Sequence, residues 1–253
     1  MRIDLNCDLG EASSPEALRL EEEILPHVTS ITIACGFHAG HVDLMRHMLH
    51  LARARGIAVG AHPGLRDPAS FGRRELAVSP TEVENLVAYQ IGALVGIAAL
   101  EGVPVSHVKP HGALYNMAAR DRAVASAIAR AVAAVDRRLI LFGLAGSKLV
   151  EAGRELGLRA AEEGFADRAY QPDGTLVPRG QPGAVISDER EAIYRALRLV
   201  RDGMIRAVDG SEVRRRIDTL CLHGDTADAA RLSKSIRGAL TEAGVQVRAI
   251  SHG

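Results

Sequence analysis

One pattern constrains this chain more than any other: a short apolar run that closes in a polar cluster, repeated along the sequence. Residues 3–7 run into Asp8-Leu9-Gly10-Glu11, and residues 30–34 into Cys35-Gly36-Phe37-His38-Ala39-Gly40-His41. Residues 57–59 run into Gly60-Ala61-His62-Pro63-Gly64, and residues 105–108 into Lys109-Pro110-His111 with Tyr115 and Asn116 just beyond. Residues 220–222 run into His223-Gly224-Asp225. Pro110 has no N–H for a ladder, so a strand stops there. Between the runs lie helical patterns, and strands that alternate with helices pair in parallel through right-handed crossovers. No linker or composition break divides the 253 residues. The chain is predicted to be a single-domain (β/α) barrel over residues 1–253, with seven or eight parallel strands, although an open doubly wound sheet tolerates the same order. In a barrel the chemistry sits at the C-terminal strand ends. Here the polar clusters follow their runs, as that requires.

Helices are expected over residues 15–25, 41–55, 122–135, 188–202 and 228–243, and from Ser147 to about residue 156. The clearest start is at Ser79, with Pro80 in the first helical position and Glu82 completing a capping box. That helix runs to Glu101 and stops at Gly102. Residues 163–183 read as a long irregular segment carrying Asp167, Arg168 and Arg179. Loops of such length inside a compact domain are usually functional or disordered, and the composition of this one is not that of a disordered chain. Residues 246–250 form a last strand-like run.

Composition narrows the function. Lys+Arg and Asp+Glu both total 31, which argues against a general nucleic-acid or membrane-surface role. Aromatics are 3%, too few for a stacking platform. Three cysteines, Cys7, Cys35 and Cys221, form no CxxC pair, so a reduced, cytoplasmic chain is expected. Residues 86–100 are the most apolar stretch, too short and too interrupted for a membrane span.

The clusters carry the candidate chemistry. Asn6, Asp8 and Glu11 close the first strand, and two carboxylates at a strand end can work as acid and base or hold a metal. His38 and His62 follow other strands. With Asp8 they would make an Asp/His/His set for a divalent ion, or else a hydrogen-bonded trio with no metal. Lys109 can neutralise an oxyanion or phosphate, and His111 can move protons near neutral pH; a structural salt bridge from Lys109 to Asp8 or Glu11 is the plainer alternative. Arg73 and Arg179 lie in loops and match carboxylate or phosphate in bidentate fashion. Gly143-Leu144-Ala145-Gly146-Ser147, before a helix, could cradle an anion, but no Walker A motif occurs. The cysteines read as small packing residues rather than nucleophiles.

Taken together these motifs resemble the LamB/YcsF family. The resemblance rests on Asn6-Cys7-Asp8-Leu9-Gly10-Glu11, Ala34-Cys35-Gly36-Phe37-His38-Ala39-Gly40, Gly60-Ala61-His62-Pro63-Gly64, Phe71-Gly72-Arg73-Arg74 and the stretch from Val108 to Asn116. It continues through Phe165-Ala166-Asp167-Arg168-Ala169-Tyr170, Leu176-Val177-Pro178-Arg179 and His223-Gly224-Asp225. Thr32 stands where the family usually has Asn, and His41-Val42 where Asp-Pro is common. The family supplies the A subunit of a bacterial-type 5-oxoprolinase. The resemblance therefore implies a barrel like those of the glycoside hydrolase and deacetylase type. It also implies ATP-dependent opening of 5-oxo-L-proline to L-glutamate, with ATP and Mg2+ as co-substrate and with subunits B and C as partners. Asp8, Glu11, His38, His62, Lys109 and His111 are the expected catalytic set, with Asp8, His38 and His62 as the candidate metal ligands. Asn6, Arg73, Tyr115, Asn116, Asp167, Arg168, Arg179, His223 and Asp225 are the expected binding set. A metal-dependent amide hydrolase working without ATP, and a non-catalytic substrate-binding subunit, remain as rival expectations.

Overall fold

The computed structural model describes residues 1–223 and 228–250, and of His223 the backbone alone. The strand-like runs become β1 (Arg2–Leu9), β2 (Ser30–Ala34), β3 (Ala58–His62), β4 (Val105–Val108), β5 (Ile140–Leu144), β6 (Ala160–Phe165) and, later in the chain, β9 (Thr219–His223). These seven pair in parallel in that order, and β9 pairs back to β1, so the sheet closes into a barrel. Asp8 of β1 stands in register with Thr32 of β2 on one side and His223 of β9 on the other.

The last run does not become an eighth barrel strand. β10 (Gln246–Val247) pairs only with Arg2 and Ile3, and from Asp4 onward β1 pairs with β9 instead. A short antiparallel hairpin, β7 (Met204–Arg206) and β8 (Glu212–Arg214), lies outside the barrel. The sequence pattern did not reveal it.

Helices α1 (Pro15–Ile24), α2 (Val42–Arg55), α3 (Pro80–Glu101), α5 (Arg122–Val135), α6 (Lys148–Glu155), α7 (Glu189–Asp202) and α8 (Ala229–Glu242) cover the outside. The capping box of α3 forms as expected: the Ser79 hydroxyl accepts from the Glu82 N–H, and the Glu82 carboxylate accepts from the Ser79 N–H. His41 caps α2, its Nδ1 accepting the Leu44 N–H at 3.3 Å. It thereby does the work of the more usual Asp at that position. By length and composition α3 could cross a membrane, but Val83, Val87, Ile91, Leu94 and Ala98 are buried in the main apolar core, as in a core helix. An extra helix, α4 (Gly112–Arg120), starts straight after His111.

Side chains alternate along β1, so Ile3, Leu5 and Cys7 face the helices while Asp4, Asn6 and Asp8 face the lumen. The lumen is therefore polar. Asp4 accepts from Ser30 at 2.8 and 2.9 Å, from Thr29 at 2.6 Å and from Thr219 at 2.6 Å. Most buried polar groups are satisfied in this way.

Candidate active site

Parallel strands end together, so the residues after β1, β2, β3 and β4 meet at one mouth. They sort into a lysine network and a histidine cluster, side by side.

Lys109 anchors the first. Its Nζ donates to Asn6 Oδ1 at 2.8 Å and lies 2.8 Å from Asp8 Oδ1 and 2.9 Å from Glu163 Oε1. Cys221 Sγ is 3.1 Å away. The two carboxylates and the amide already match the three N–H protons of an ammonium. Burial disfavours that ammonium, but Asp8 and the other acidic neighbours outweigh it and hold the pKa well above the ordinary lysine value. Lys109 is thus a fixed positive charge, with its protons committed inside the barrel. Asn6 lies beneath it, donating to Glu163 at 2.9 Å and Thr219 at 2.7 Å. Thr32 donates to Asp8 Oδ1, which an Asn at that position could also do. Tyr115 donates to Glu163 Oε2 at 2.7 Å, and burial pushes the phenol pKa far up.

Glu163, fully buried, joins Asn6, Lys109 and Tyr115, yet the sequence reading passed over it. Its one signal was a carboxylate pair, Glu162-Glu163, interrupting an otherwise apolar run.

The histidine cluster centres on Glu11. Its Oε1 lies 2.9 Å from His38 Nε2, 3.3 Å from His111 Nδ1 and 3.8 Å from His62 Nε2. Burial opposes ionisation of Glu11, but the facing His111 and His38 rings outweigh it and hold the carboxyl far below its usual range. Burial lowers His62 to about 3, and it lowers His38 as well. Glu21 fixes the loop that carries Glu11: its two oxygens accept the N–H groups of Gly10 at 2.7 Å and Glu11 at 2.9 Å. Gly10 needs its positive φ of 74° here, and an added Cβ would sit 2.9 Å from Ile33.

A loop between β3 and α3 closes over the cluster. Phe71 takes a left-handed backbone, φ 53°, unusual for a bulky residue. That turn aims its carbonyl at His111 Nε2, 2.8 Å away. Strained backbone of this kind gathers at functional sites.

Glu11, His38, His62 and His111 have donor atoms within 4.8 Å of one another. Asp8 is not among them. Its Oδ1 is held by Lys109 and Thr32, and only Oδ2 approaches His62, at 3.4 Å. Glu11 is the carboxylate near all three histidines, while of the expected Asp8, His38 and His62 set Asp8 approaches His62.

Both networks open into a cavity of about 470 Å3. Asp8, Glu11, His62, Lys109 and His111 form its floor; Arg73, Tyr115, Asn116, Arg168 and Arg179 contribute to the walls. Arg168 is a staple of the residue 163–187 segment, donating to the carbonyls of Val177 at 2.6 Å and Ala184 at 3.2 Å. Burial, with Arg179 nearby, lowers its pKa to about 10. Asp167 is buried next to it and does not line the cavity. The side chain of His223 and all of Asp225 lie outside the described residues. The Gly143–Ser147 turn is no anion cradle: the Gly146 N–H already donates to Glu162 at 2.7 Å, and Ser147 caps α6. Burial pushes Cys35 up to about 12 and raises Cys7 and Cys221 well above the ordinary thiol value, so these thiols pack rather than react.

The sequence model of the LamB/YcsF family matches residues 3–253. The 5-oxoprolinase A subunit of Bacillus licheniformis is 53% identical over 250 residues, covering 99% of both chains. Its namesake from Bordetella pertussis is 52% identical over 98% of each. The crystal structure of a lactam utilization protein from Thermus thermophilus superposes with a TM-score of 0.90 at 48% identity, over 99% of this chain and 100% of that one. A deacetylase, T48, solved with substrate, shares the fold alone: 13% identity and a TM-score of 0.50, over 97% of this chain and 86% of that one.

Proposed function

The chain belongs to the LamB/YcsF family, and on that premise we propose that it is the A subunit of an ATP-dependent 5-oxoprolinase. The reaction opens the lactam of 5-oxo-L-proline to L-glutamate, with ATP and Mg2+ as co-substrate and with subunits B and C as partners. One observation supports a catalytic role above the others: a small cavity has acid–base groups on its floor and guanidinium groups on its wall. A five-membered lactam is a stable amide that needs activation before water can open it. Phosphorylation of the carbonyl oxygen by ATP makes the ring carbon electrophilic. Water then adds, the C–N bond breaks with protonation of nitrogen, and the resulting acyl phosphate is hydrolysed.

In this scheme Arg73 and Arg179 pair with the substrate carboxylate or the phosphoryl group. With no ion held between them, Glu11, His62 and His111 exchange protons with the attacking water and the leaving nitrogen. Lys109 does not move a proton; it pairs with Asp8 and holds it in place. The three buried thiols suit a cytoplasmic setting.

The histidine–carboxylate cluster also favours a second reading, a metal-dependent amide hydrolase that needs no ATP. Glutamate release from 5-oxo-L-proline, measured with and without ATP and with and without the partner subunits, tests the two. Release that depends on ATP and partners supports the first, and release by the chain alone without ATP supports the second.

A further inference from the structure

We propose that Glu11, His62 and His111 form a two-histidine, one-carboxylate site for a divalent transition-metal ion, and that His38 is not a ligand but holds Glu11 in position. The ring protons decide this. His62 Nδ1 lies 2.7 Å from the carbonyl oxygen of Lys109. His111 Nε2 lies 2.8 Å from the carbonyl oxygen of Phe71. A carbonyl oxygen can only accept, so each of these nitrogens carries its hydrogen. A neutral imidazole has a single N–H, and the other nitrogen of each ring then presents a lone pair. Those two nitrogens, His62 Nε2 and His111 Nδ1, face each other 2.9 Å apart. Glu11 Oε1 is 3.3 Å from one and 3.8 Å from the other. Two facing lone pairs and a carboxylate oxygen in one small volume call for positive charge between them. An outer N–H given to a backbone carbonyl is also the arrangement that fixes metal-binding histidines.

His38 departs from this pattern. Its Nε2 faces a carboxylate oxygen, Glu11 Oε1, and so carries the hydrogen and donates it. Its ring stacks on His111 with centroids 3.7 Å apart and planes only 2° from parallel. In-plane lone pairs of stacked parallel rings do not meet at one ion. The His62 ring stands at 86° to His111, which allows theirs to meet.

Imidazole and carboxylate donors suit zinc, cobalt, nickel and iron rather than magnesium or calcium. Three protein ligands leave positions open toward the cavity, where a bound ion would supply Lewis acidity. This assignment rests on ring geometry and not on the lactam reading, so either can fail alone.

The test is calorimetric titration of the chelator-treated full-length chain with Co2+ and with Zn2+, together with the visible spectrum of the Co2+ form. We expect about one ion per chain. His62→Ala and His111→Ala should abolish binding. His38→Gln, which can still donate to Glu11, should keep the stoichiometry with affinity weakened by about ten- to a hundredfold. Circular dichroism checks that each variant is folded. The proposal is overturned if the folded wild-type chain binds neither ion, which would mean that a proton is shared between His62 and His111. It is equally overturned if binding survives His111→Ala but is lost in His38→Gln.

Discussion

Lys109 and Glu163 form an ion pair, 2.9 Å between Nζ and Oε1, with both side chains almost wholly excluded from solvent. They come from different strand ends, and Asp8, Asn6 and Tyr115 are all tied to one or the other. A buried pair of this kind adds little over an apolar substitute, but removing one partner strands the other's charge.

Lys109→Met should therefore lower unfolding free energy by about 3–5 kcal/mol. It strands two carboxylates, Asp8 and Glu163. Urea unfolding followed by circular dichroism measures this, and a loss under about 1 kcal/mol would mean that Lys109 is not the charge hub described.

Glu21→Ala should act at a distance. It removes the acceptors of the Gly10 and Glu11 N–H groups and releases the loop that carries Glu11. Two unsatisfied backbone donors cost about 1–3 kcal/mol each if they stay dry. Turnover by the assembled enzyme should fall more than stability alone explains, a difference that folded-fraction measurements beside the kinetics would expose.

Acid sensitivity follows from His62. Burial holds it near 3 in the folded chain, against 6.5 when unfolded. Between those values the unfolded state binds the extra proton, so stability rises with pH and is lost as pH falls from 6.5 toward 3. His62→Gln should flatten this dependence in the metal-free chain. From about pH 7 to about pH 4.5 the wild type should lose on the order of 2 kcal/mol more than the variant. Parallel slopes in urea titrations at the two pH values would contradict it.

Gly60→Ala is a packing test. A Cβ there would fall 2.2–2.7 Å from atoms of the His107 ring, which stacks on Phe142 with centroids 4.4 Å apart. Overpacking of this kind costs about 1–3 kcal/mol. A thermal melt should show the loss, and an unchanged midpoint would refute the tight contact.

Much of this was legible in the sequence because parallel strands end at one face. Asp8 and His62 lie at strand ends and Glu11, His38, Lys109 and His111 just beyond them, so strand–helix alternation brings all six to one mouth. What alternation cannot carry is partner choice. Asn6 was expected to touch substrate, yet it lies beneath Lys109, because Asp4, Asn6 and Asp8 share the lumen face. Glu163 was missed because the Glu162-Glu163 pair does not reveal which carboxylate is buried; its meaning comes from Lys109, distant in sequence. The α4 helix was missed because Pro110 and Gly112 read as a loop, whereas His111 serves as its N-cap residue. Which carboxylate meets the histidines depends on ring orientation, set by the carbonyls of Phe71 and Lys109, and no spacing reveals that.

The arginines should act on binding. Arg73→Ala and Arg179→Ala should each raise the KM for 5-oxo-L-proline or ATP by roughly tenfold or more with a smaller change in kcat. Steady-state kinetics with each substrate varied in turn would show which anion each arginine meets, and unchanged KM values for both would remove them from the site.

The most direct measurement is glutamate release from 5-oxo-L-proline by this chain with ATP, Mg2+ and subunits B and C, set beside the same mixture carrying Glu11→Gln or His111→Ala. The account predicts release with the wild-type chain and a fall of at least about a hundredfold with either variant, as for loss of a general acid or base. Wild-type turnover from a folded Glu11→Gln chain would contradict it.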